Sequence, residues 1–340
     1  MSLFNVKRML TTAAGLALAA TVQAADISGA GATFPYPIYS KWADTYKQQT
    51  GIGLNYQSIG SGGGIKQIKA KTVTFGASDM PLKADELQQA GLVQFPMIIG
   101  GVVPVVHIKG VQGGQMVLDG QTVAAIYLGE ITKWNDPRIA KLNPKLTLPA
   151  TAIAPVYRSD GSGTNFLFSN YLSNSYPKFK DTIGANTSVQ WPVGIGAKGN
   201  EGVANMTTQT DGAIGYVEYA YAKQNKMAYT DLTNSAGKRV SPNAETFQAA
   251  AGSADWAHAA GYYLILTNQP GDKSWPITGA SFILVYSVPP DPAATGAALK
   301  FFDWAYKNGA KTAAELDYVP LPDSLIQQVR NTWKTQIKGM

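Results

Sequence analysis

The sequence predicts an α/β fold arranged as two lobes about a ligand cleft, and three observations lead there. Strand-like and helix-like segments alternate through the chain, the pattern of a mostly parallel sheet with helices on both faces. Removal of a 24-residue leader leaves 316 residues, enough for two cores rather than one. Three glycine-hydroxyl stretches, Gly29 to Pro35, Gly60 to Gly64 and Arg158 to Thr164, each sit between a strand-like and a helix-like segment. In open α/β sheets, ligands bind outside the carboxyl ends of the strands, where these stretches fall.

The first 24 residues read as an export signal. Lys7 and Arg8 give a positive start, Met9 to Val22 is apolar but too short to span a bilayer, and Val22-Gln23-Ala24 supplies small residues for cleavage. The cut is expected after Ala24, with Ala25 as the next choice. A short strand then starts at Asp26. Pro35 to Lys47 reads as an amphipathic helix with Tyr36, Tyr39, Ala43 and Tyr46 at helical spacing, closed by Gly51. Ile52 to Ser58 alternates like a strand. Gly64 to Ala70 is a short helix, Val73 to Ala77 a strand ending at Ser78-Asp79, Leu82 to Ala90 a helix and Val102 to Ile108 an apolar strand.

A second unit starts in the middle of the chain. Val123 to Leu128 is helical, with Trp134 and Pro137 marking the turn beyond it. Ile153 to Tyr157 is a strand running into Arg158, and Asn165 to Leu172 is the next helix. Glycine and proline crowd between Trp191 and Gly202, which predicts an exposed loop. Gly199 to Thr208 is a helix, Ala213 to Val217 and Phe282 to Val285 are strands, and Ala293 to Tyr306 and Pro322 to Lys338 are helices. No internal repeat or low-complexity segment is visible.

Composition narrows the function. There is no cysteine, which excludes a lipid-anchored lipoprotein, a disulfide scaffold and a thiol-based site. Without Lys7 and Arg8, 26 basic side chains face 22 acidic ones, a net charge near +4. That mild excess suits an anionic ligand. The lysines are scattered without a dense run, so nucleic acid is not expected as a partner.

The glycine-hydroxyl stretches have the chemistry of an anion site. The first N–H groups of a helix lack intrahelical partners, and the macrodipole leaves that end partly positive. Ser61 in Gly-Ser-Gly-Gly-Gly could belong to a flexible loop, and Ser162 could be a plain N-cap. Arg158 beside Ser162 favours an oxyanion, because a guanidinium fork matches its geometry. Asp160 reads either as the partner that orients Arg158 or as a turn residue. Asp79 is either an N-cap for the helix at Leu82 or an acceptor for a ligand that carries a proton. Phosphate retains a proton at neutral pH and sulfate does not, so an unmatched buried acceptor would select between them.

Catalysis has little support in the residues. The only histidines are His107, in an apolar strand and expected to pack there, and His258, in an alanine-rich stretch with little around it. Neither Ser61 nor Ser162 fits Gly-x-Ser-x-Gly, no nucleotide P-loop is present, and no metal-ligand spacing occurs. No cofactor or metal is therefore expected. Trp42, Trp134, Trp191 and Trp304 are read as packing residues.

At Gly29 to Pro35, Phe75 to Asp79, Ala213 to Tyr219 and Phe301 to Ala305 the chain resembles the periplasmic phosphate-binding proteins of high-affinity phosphate ABC transporters, and the resemblance covers essentially the whole mature sequence. It implies a two-lobed periplasmic-binding-protein fold of type II that closes on one phosphate in the interlobe cleft. The ligand residues it implies are Thr33, Phe34 through its backbone N–H, Ser61, Asp79, Arg158, Ser162, Gly163 and Thr164, with Asp160 holding the arginine. Residues 25–98 and 273–340 would form one discontinuous lobe and 99–272 the other. Gly62 departs from close relatives that can carry serine.

The resulting expectation is a monomeric, exported, non-enzymatic receptor that captures inorganic phosphate and delivers it to the membrane permease subunits of an ABC transporter. A secreted phosphoesterase with Ser61 or Ser162 as nucleophile, and a receptor for another oxyanion, are the alternatives.

Overall fold

The computed structural model describes residues 26–339. The leader and its cleavage points lie outside the described residues. The chain begins with β1 (Ile27–Gly31), α1 (Tyr36–Thr50), β2 (Leu54–Ser58), α2 (Ser61–Lys69), β3 (Phe75–Ser78) and α3 (Ala84–Ala90). Pro35 and Pro37 preset the first turn of α1, and Gly51, at φ +76°, ends it with its N–H on the Lys47 carbonyl at 2.8 Å. The buried face of α1 is Ile38, Tyr39, Trp42 and Tyr46 rather than the expected Tyr36, Tyr39, Ala43 and Tyr46. Tyr36 is 40% exposed and stacks on Tyr56 instead.

The next strand, β4 (Leu92–Val106), is buried along its whole length. The sequence pattern reveals only its second half, because Pro96 and the Gly100-Gly101 pair look like breaks. Pro96 sits where the pairing of β4 with the last strand shifts register, a bulge that accommodates a residue without an N–H. A Cβ on Gly101 would collide with the Phe247 ring, so only glycine fits there.

Beyond β4 come β5 (Val117–Asp119), α4 (Gly120–Tyr127), α5 (Pro137–Leu142), β6 (Ala154–Arg158), α6 (Gly163–Ser175), α7 (Pro177–Thr182), β7 (Ile195–Ala197), α8 (Gly199–Gln209), β8 (Ala213–Glu218) and α9 (Tyr219–Gln224). Three short strands, β9 (Ala228–Tyr229), β10 (Asp231–Thr233) and β11 (Arg239–Val240), precede α10 (Ala244–Ala251). The strand β12 (Thr278–Tyr286) then returns to the middle of the main sheet, and α11 (Pro292–Asn308), α12 (Ala310–Glu315) and α13 (Asp323–Gln336) complete the chain.

The main sheet has the order β2-β1-β3-β12-β4-β8-β6-β7, with β9 also on β4. It is mixed, not mostly parallel. Its two flanks, β2-β1-β3 and β8-β6-β7, are parallel, as the alternating pattern predicts. The centre is antiparallel because β12 and β4 run against each other and against their neighbours. Residues Leu92 to Gly101 of β4 pair with β12, and Val102 to Val106 pair with β8, so one strand joins the two halves of the sheet. The carboxyl ends of β1, β2 and β3 thereby face those of β6, β7 and β8. Trp42, Trp134 and Trp304 each donate an indole N–H within the protein, to Gly309 O, Gly212 O and Gln49 Oε1, and Trp191 stacks on Tyr157, as expected for packing residues.

Candidate functional site

Each of the glycine-hydroxyl stretches lies at a strand end that opens toward a helix. Thr33 and Phe34 follow β1, Ser61 is the first residue of α2, Asp79 follows β3, and Arg158 ends β6 just before α6. The helix α2 begins at Ser61, three residues earlier than the sequence suggests, which puts Gly62 to Gly64 in its first turn. Thr33, Ser61, Asp79, Arg158, Ser162 and Thr164 are between 0% and 4% exposed. A surface groove of about 700 Å³ between α11 and α13 contains none of them.

Hydrogen bonds join the two sides. The Ser61 hydroxyl accepts the Asp79 N–H at 3.1 Å and, from the opposite side, the Gly163 N–H at 3.0 Å. Gly62 N–H donates to Gly161 O at 2.9 Å. A Cβ on Gly163 would stand 2.5 Å from both Ser61 Oγ and Asp79 Oδ2, so glycine is needed for the close approach. A Cβ at Gly62 would lie 3.1 Å from Gly161 Cα, a tight contact.

The Arg158 guanidinium is held by a fork. Its Nε lies 2.8 Å from Asp160 Oδ1 and its Nη2 2.6 Å from Oδ2. Asp160 also accepts the Gly199 N–H at 3.1 Å. Burial pushes the Asp160 carboxyl up, but the bonds and charge of Arg158 outweigh it and hold the pKa below its ordinary value. Asp160 is thus the arginine's partner. The remaining nitrogen, Nη1, is buried and has no hydrogen-bond partner within the protein.

Asp79 is the opposite case. Both of its carboxylate oxygens are buried and neither has a partner of good hydrogen-bond geometry, although the Ser281 and Ser61 hydroxyls stand near enough to favour the charged form. Burial raises its pKa from 3.8 to about 7, against the opposing pull of Ser281, Arg158 and Ser61. It is no helix cap, since α3 begins at Ala84 with Lys83 as its cap. Ser162 does cap α6, accepting the Asn165 N–H at 3.0 Å, while its own proton remains available.

Sequence reasoning missed several residues that build this site. Asn200, in the first turn of α8, is fully buried and donates from Nδ2 to Thr33 Oγ1 at 2.6 Å and to Thr164 Oγ1 at 3.1 Å. It lies within Trp191 to Gly202, expected to be an exposed loop. That segment holds β7, which the loop reading missed, and the start of α8, which matches the expected Gly199 to Thr208 helix, a fourth strand end leading to a helix. The first turn of that expected helix carried the signal for Asn200. Tyr216 accepts the Arg158 N–H at 3.0 Å, Tyr221 donates to Thr33 O at 2.7 Å, and Glu218 meets the Tyr318 hydroxyl at 2.7 Å. The Ala213 to Tyr219 motif therefore braces the site.

The histidines lie elsewhere. His107 is exposed just past β4 rather than packed in it, with Nδ1 3.1 Å from Thr210 O. His258 is exposed and pairs with Asp255 at 2.7 Å, so its surroundings are not empty.

A family model described as a PBP superfamily domain matches residues 18–308. The chain is 56% identical over 321 residues to a phosphate-binding protein PstS of Pasteurella multocida, covering 94% of this chain and 93% of that protein. To the phosphate-binding protein PstS of Haemophilus influenzae it is 54% identical over 316 residues, covering 93% and 95%. Among solved structures, an ancestral soluble variant of the human phosphate binding protein aligns with a TM-score of 0.73 at 22% identity, covering 91% and 94%. A phosphate-bound putative ABC transporter substrate-binding protein from Clostridium perfringens aligns with a TM-score of 0.64 at 18% identity, covering 87% and 100%. At those identities the structural likeness speaks to the fold.

Proposed function

The chain belongs to the PstS family of phosphate-binding proteins, and from that premise we propose that it captures inorganic phosphate and hands it to the permease of an ABC importer. The observation that carries this reading is the pairing of two unmatched groups in one buried site. Arg158 Nη1 is a donor without an acceptor, and Asp79 is an acceptor without a donor. A buried polar group without a partner is costly, so both are matched by the ligand. Hydrogen phosphate meets both needs, because its oxygens accept from Arg158 and its proton goes to Asp79. Sulfate, with no proton, would leave Asp79 unmet and repelled.

Thr33, the Phe34 N–H, Ser61, Ser162, Gly163 and Thr164 complete the ligand shell in this reading, with Asp160 orienting Arg158. Residues 25–98 and 273–340 form one lobe and 99–272 the other, and the burial of every ligand residue requires the lobes to part before phosphate enters. The protein works as a monomeric receptor in the periplasm after loss of its leader. Among the described residues no helix is long and apolar enough to cross a membrane.

Hydrolysis is disfavoured by the serine environments. Ser61 Oγ accepts two backbone N–H groups and Ser162 Oγ a cap bond, and both histidines bond to partners away from these serines. Calorimetric titration of phosphate-stripped protein tests the assignment. Phosphate is expected to bind one-to-one at micromolar or tighter affinity, roughly −8 kcal/mol or better, and sulfate far more weakly. Millimolar phosphate binding, or equal sulfate binding, rejects it.

A further inference from the structure

We propose that Asn200 is a positioning residue that makes the Thr33 and Thr164 hydroxyls donors toward the ligand; this rests on the phosphate reading above. A hydroxyl has one proton and two lone pairs. Thr33 Oγ1 accepts the Asn200 backbone N–H at 3.2 Å and its Nδ2 at 2.6 Å, which fills both lone pairs. The proton is all that Thr33 has left to offer. Thr164 Oγ1 accepts the second Nδ2 hydrogen at 3.1 Å, which biases it the same way.

The amide can point only one way. Its Oδ1 accepts the Glu218 N–H at 2.8 Å, and a flipped amide would set two donors against each other there. Asn200 is fully buried at the start of α8, Thr33 follows β1 on the other half of the sheet, and Thr164 is in α6. Asn200 thus fills both lone pairs of Thr33, one of them through its backbone, and one lone pair of Thr164, and it ties the facing halves together. Ser61 reaches the same state by backbone alone, since Asp79 N–H and Gly163 N–H fill its lone pairs. The site therefore produces donor-only hydroxyls twice by independent means, as suits an anion whose oxygens accept.

The test is calorimetric titration with inorganic phosphate of the mature chain and its variants, with thermal unfolding of each measured without ligand. Asn200→Ala should weaken phosphate about tenfold, the scale of one or two hydrogen bonds to a charged group. Asn200→Asp keeps the shape, turns Nδ2 into an acceptor that competes for the threonine protons, and should weaken phosphate about 100-fold. In a Thr33→Val background the Asn200→Ala loss should shrink to about threefold or less, because the group it acts through is gone. A loss of equal size in both backgrounds means a merely structural role and overturns the proposal, as does wild-type affinity in Asn200→Asp. Failure of the unsubstituted chain to bind phosphate is a separate result, which removes the functional reading and this inference with it.

Discussion

Two buried carboxyls, Asp79 in the anion site and Glu218 at the seam behind it, have nearly the same burial and opposite surroundings. They are 1% and 0% exposed, and burial drives both pKa values up. Glu218 Oε2 accepts the Ala220 N–H at 3.0 Å and lies 2.7 Å from the Tyr318 hydroxyl. That hydroxyl is also 2.6 Å from Phe34 O. Tyr318 has one proton for two neighbours, so a protonated Glu218 supplies the second bond. Asp79 has no such arrangement, since neither oxygen finds a partner of good geometry. Glu218 thus has one oxygen bonded within the fold and one, Oε1, without a partner, whereas Asp79 has two without. A raised pKa alone does not mark a functional residue; the lack of internal partners on both oxygens is what distinguishes Asp79.

The strongest way to break this distinction is Arg158→Ala. If Asp79 and Arg158 are matched through the ligand, loss of the guanidinium should weaken phosphate at least about 100-fold, from one or more charged hydrogen bonds. It also strands Asp160, 12% exposed in its side chain, and should lower stability by about 3 kcal/mol. The pH dependence contributed by Glu218 should remain. Near-normal phosphate binding, measured by calorimetry, would make Arg158 a structural residue.

Asp79→Asn comes next. The amide keeps the size but can donate, so sulfate gains a partner where it met a repelling acceptor. The phosphate-to-sulfate affinity ratio should fall by about tenfold or more, the scale of an unmatched buried polar group. Arsenate, with phosphate's shape and protons, should be discriminated poorly in either protein. An unchanged ratio would place selectivity elsewhere.

The same contrast explains what was legible in the sequence. Thr33, Ser61 and Ser162 stand out because glycines beside them mark close backbone approach at strand ends, Asp79 because it follows a strand as a lone carboxylate, and Asp160 because it sits two residues from Arg158. Asn200, Tyr216, Glu218 and Tyr318 act across distances of 18 to 284 residues in the chain, and no local pattern encodes such pairs. Strand β4 was half visible for a related reason. Pro96 and Gly101 read locally as breakers, and only a register shift and the Phe247 ring, both tertiary, make them fit. The parallel flanks follow from local alternation, while the antiparallel centre depends on a chain return that periodicity cannot record.

Glu218→Gln sharpens the comparison from the other side. The folded protein keeps Glu218 protonated well above its ordinary value near 4.5. Between that value and the raised one the native state binds the extra proton, so stability falls as pH rises. Glutamine cannot ionise, but no single amide atom can both accept the Ala220 N–H and donate to Tyr318 as the protonated Oε2 does. The variant should be less stable than wild type near pH 4, and the deficit should shrink as pH rises, because only the wild type loses stability in that direction. Denaturant unfolding of ligand-free protein across that range measures it. Its phosphate-to-sulfate ratio should be unchanged, and a changed ratio would draw Glu218 into the ligand site.

The smallest effect expected is at Ser162, which combines both kinds of role in one hydroxyl. Its oxygen caps α6 and its proton is free for the ligand. Loss of the cap to alanine costs about 1 kcal/mol, but loss to glycine only a few tenths, because glycine tolerates the cap conformation. Neither replacement has a proton to donate. Ser162→Ala should therefore unfold more easily than Ser162→Gly in the absence of ligand, while both weaken phosphate alike, by about tenfold, the low end for a hydrogen bond to a charged group. That loss should stay below the loss in Arg158→Ala. If glycine restores affinity along with stability, the serine serves its helix alone and the ligand shell is one donor smaller.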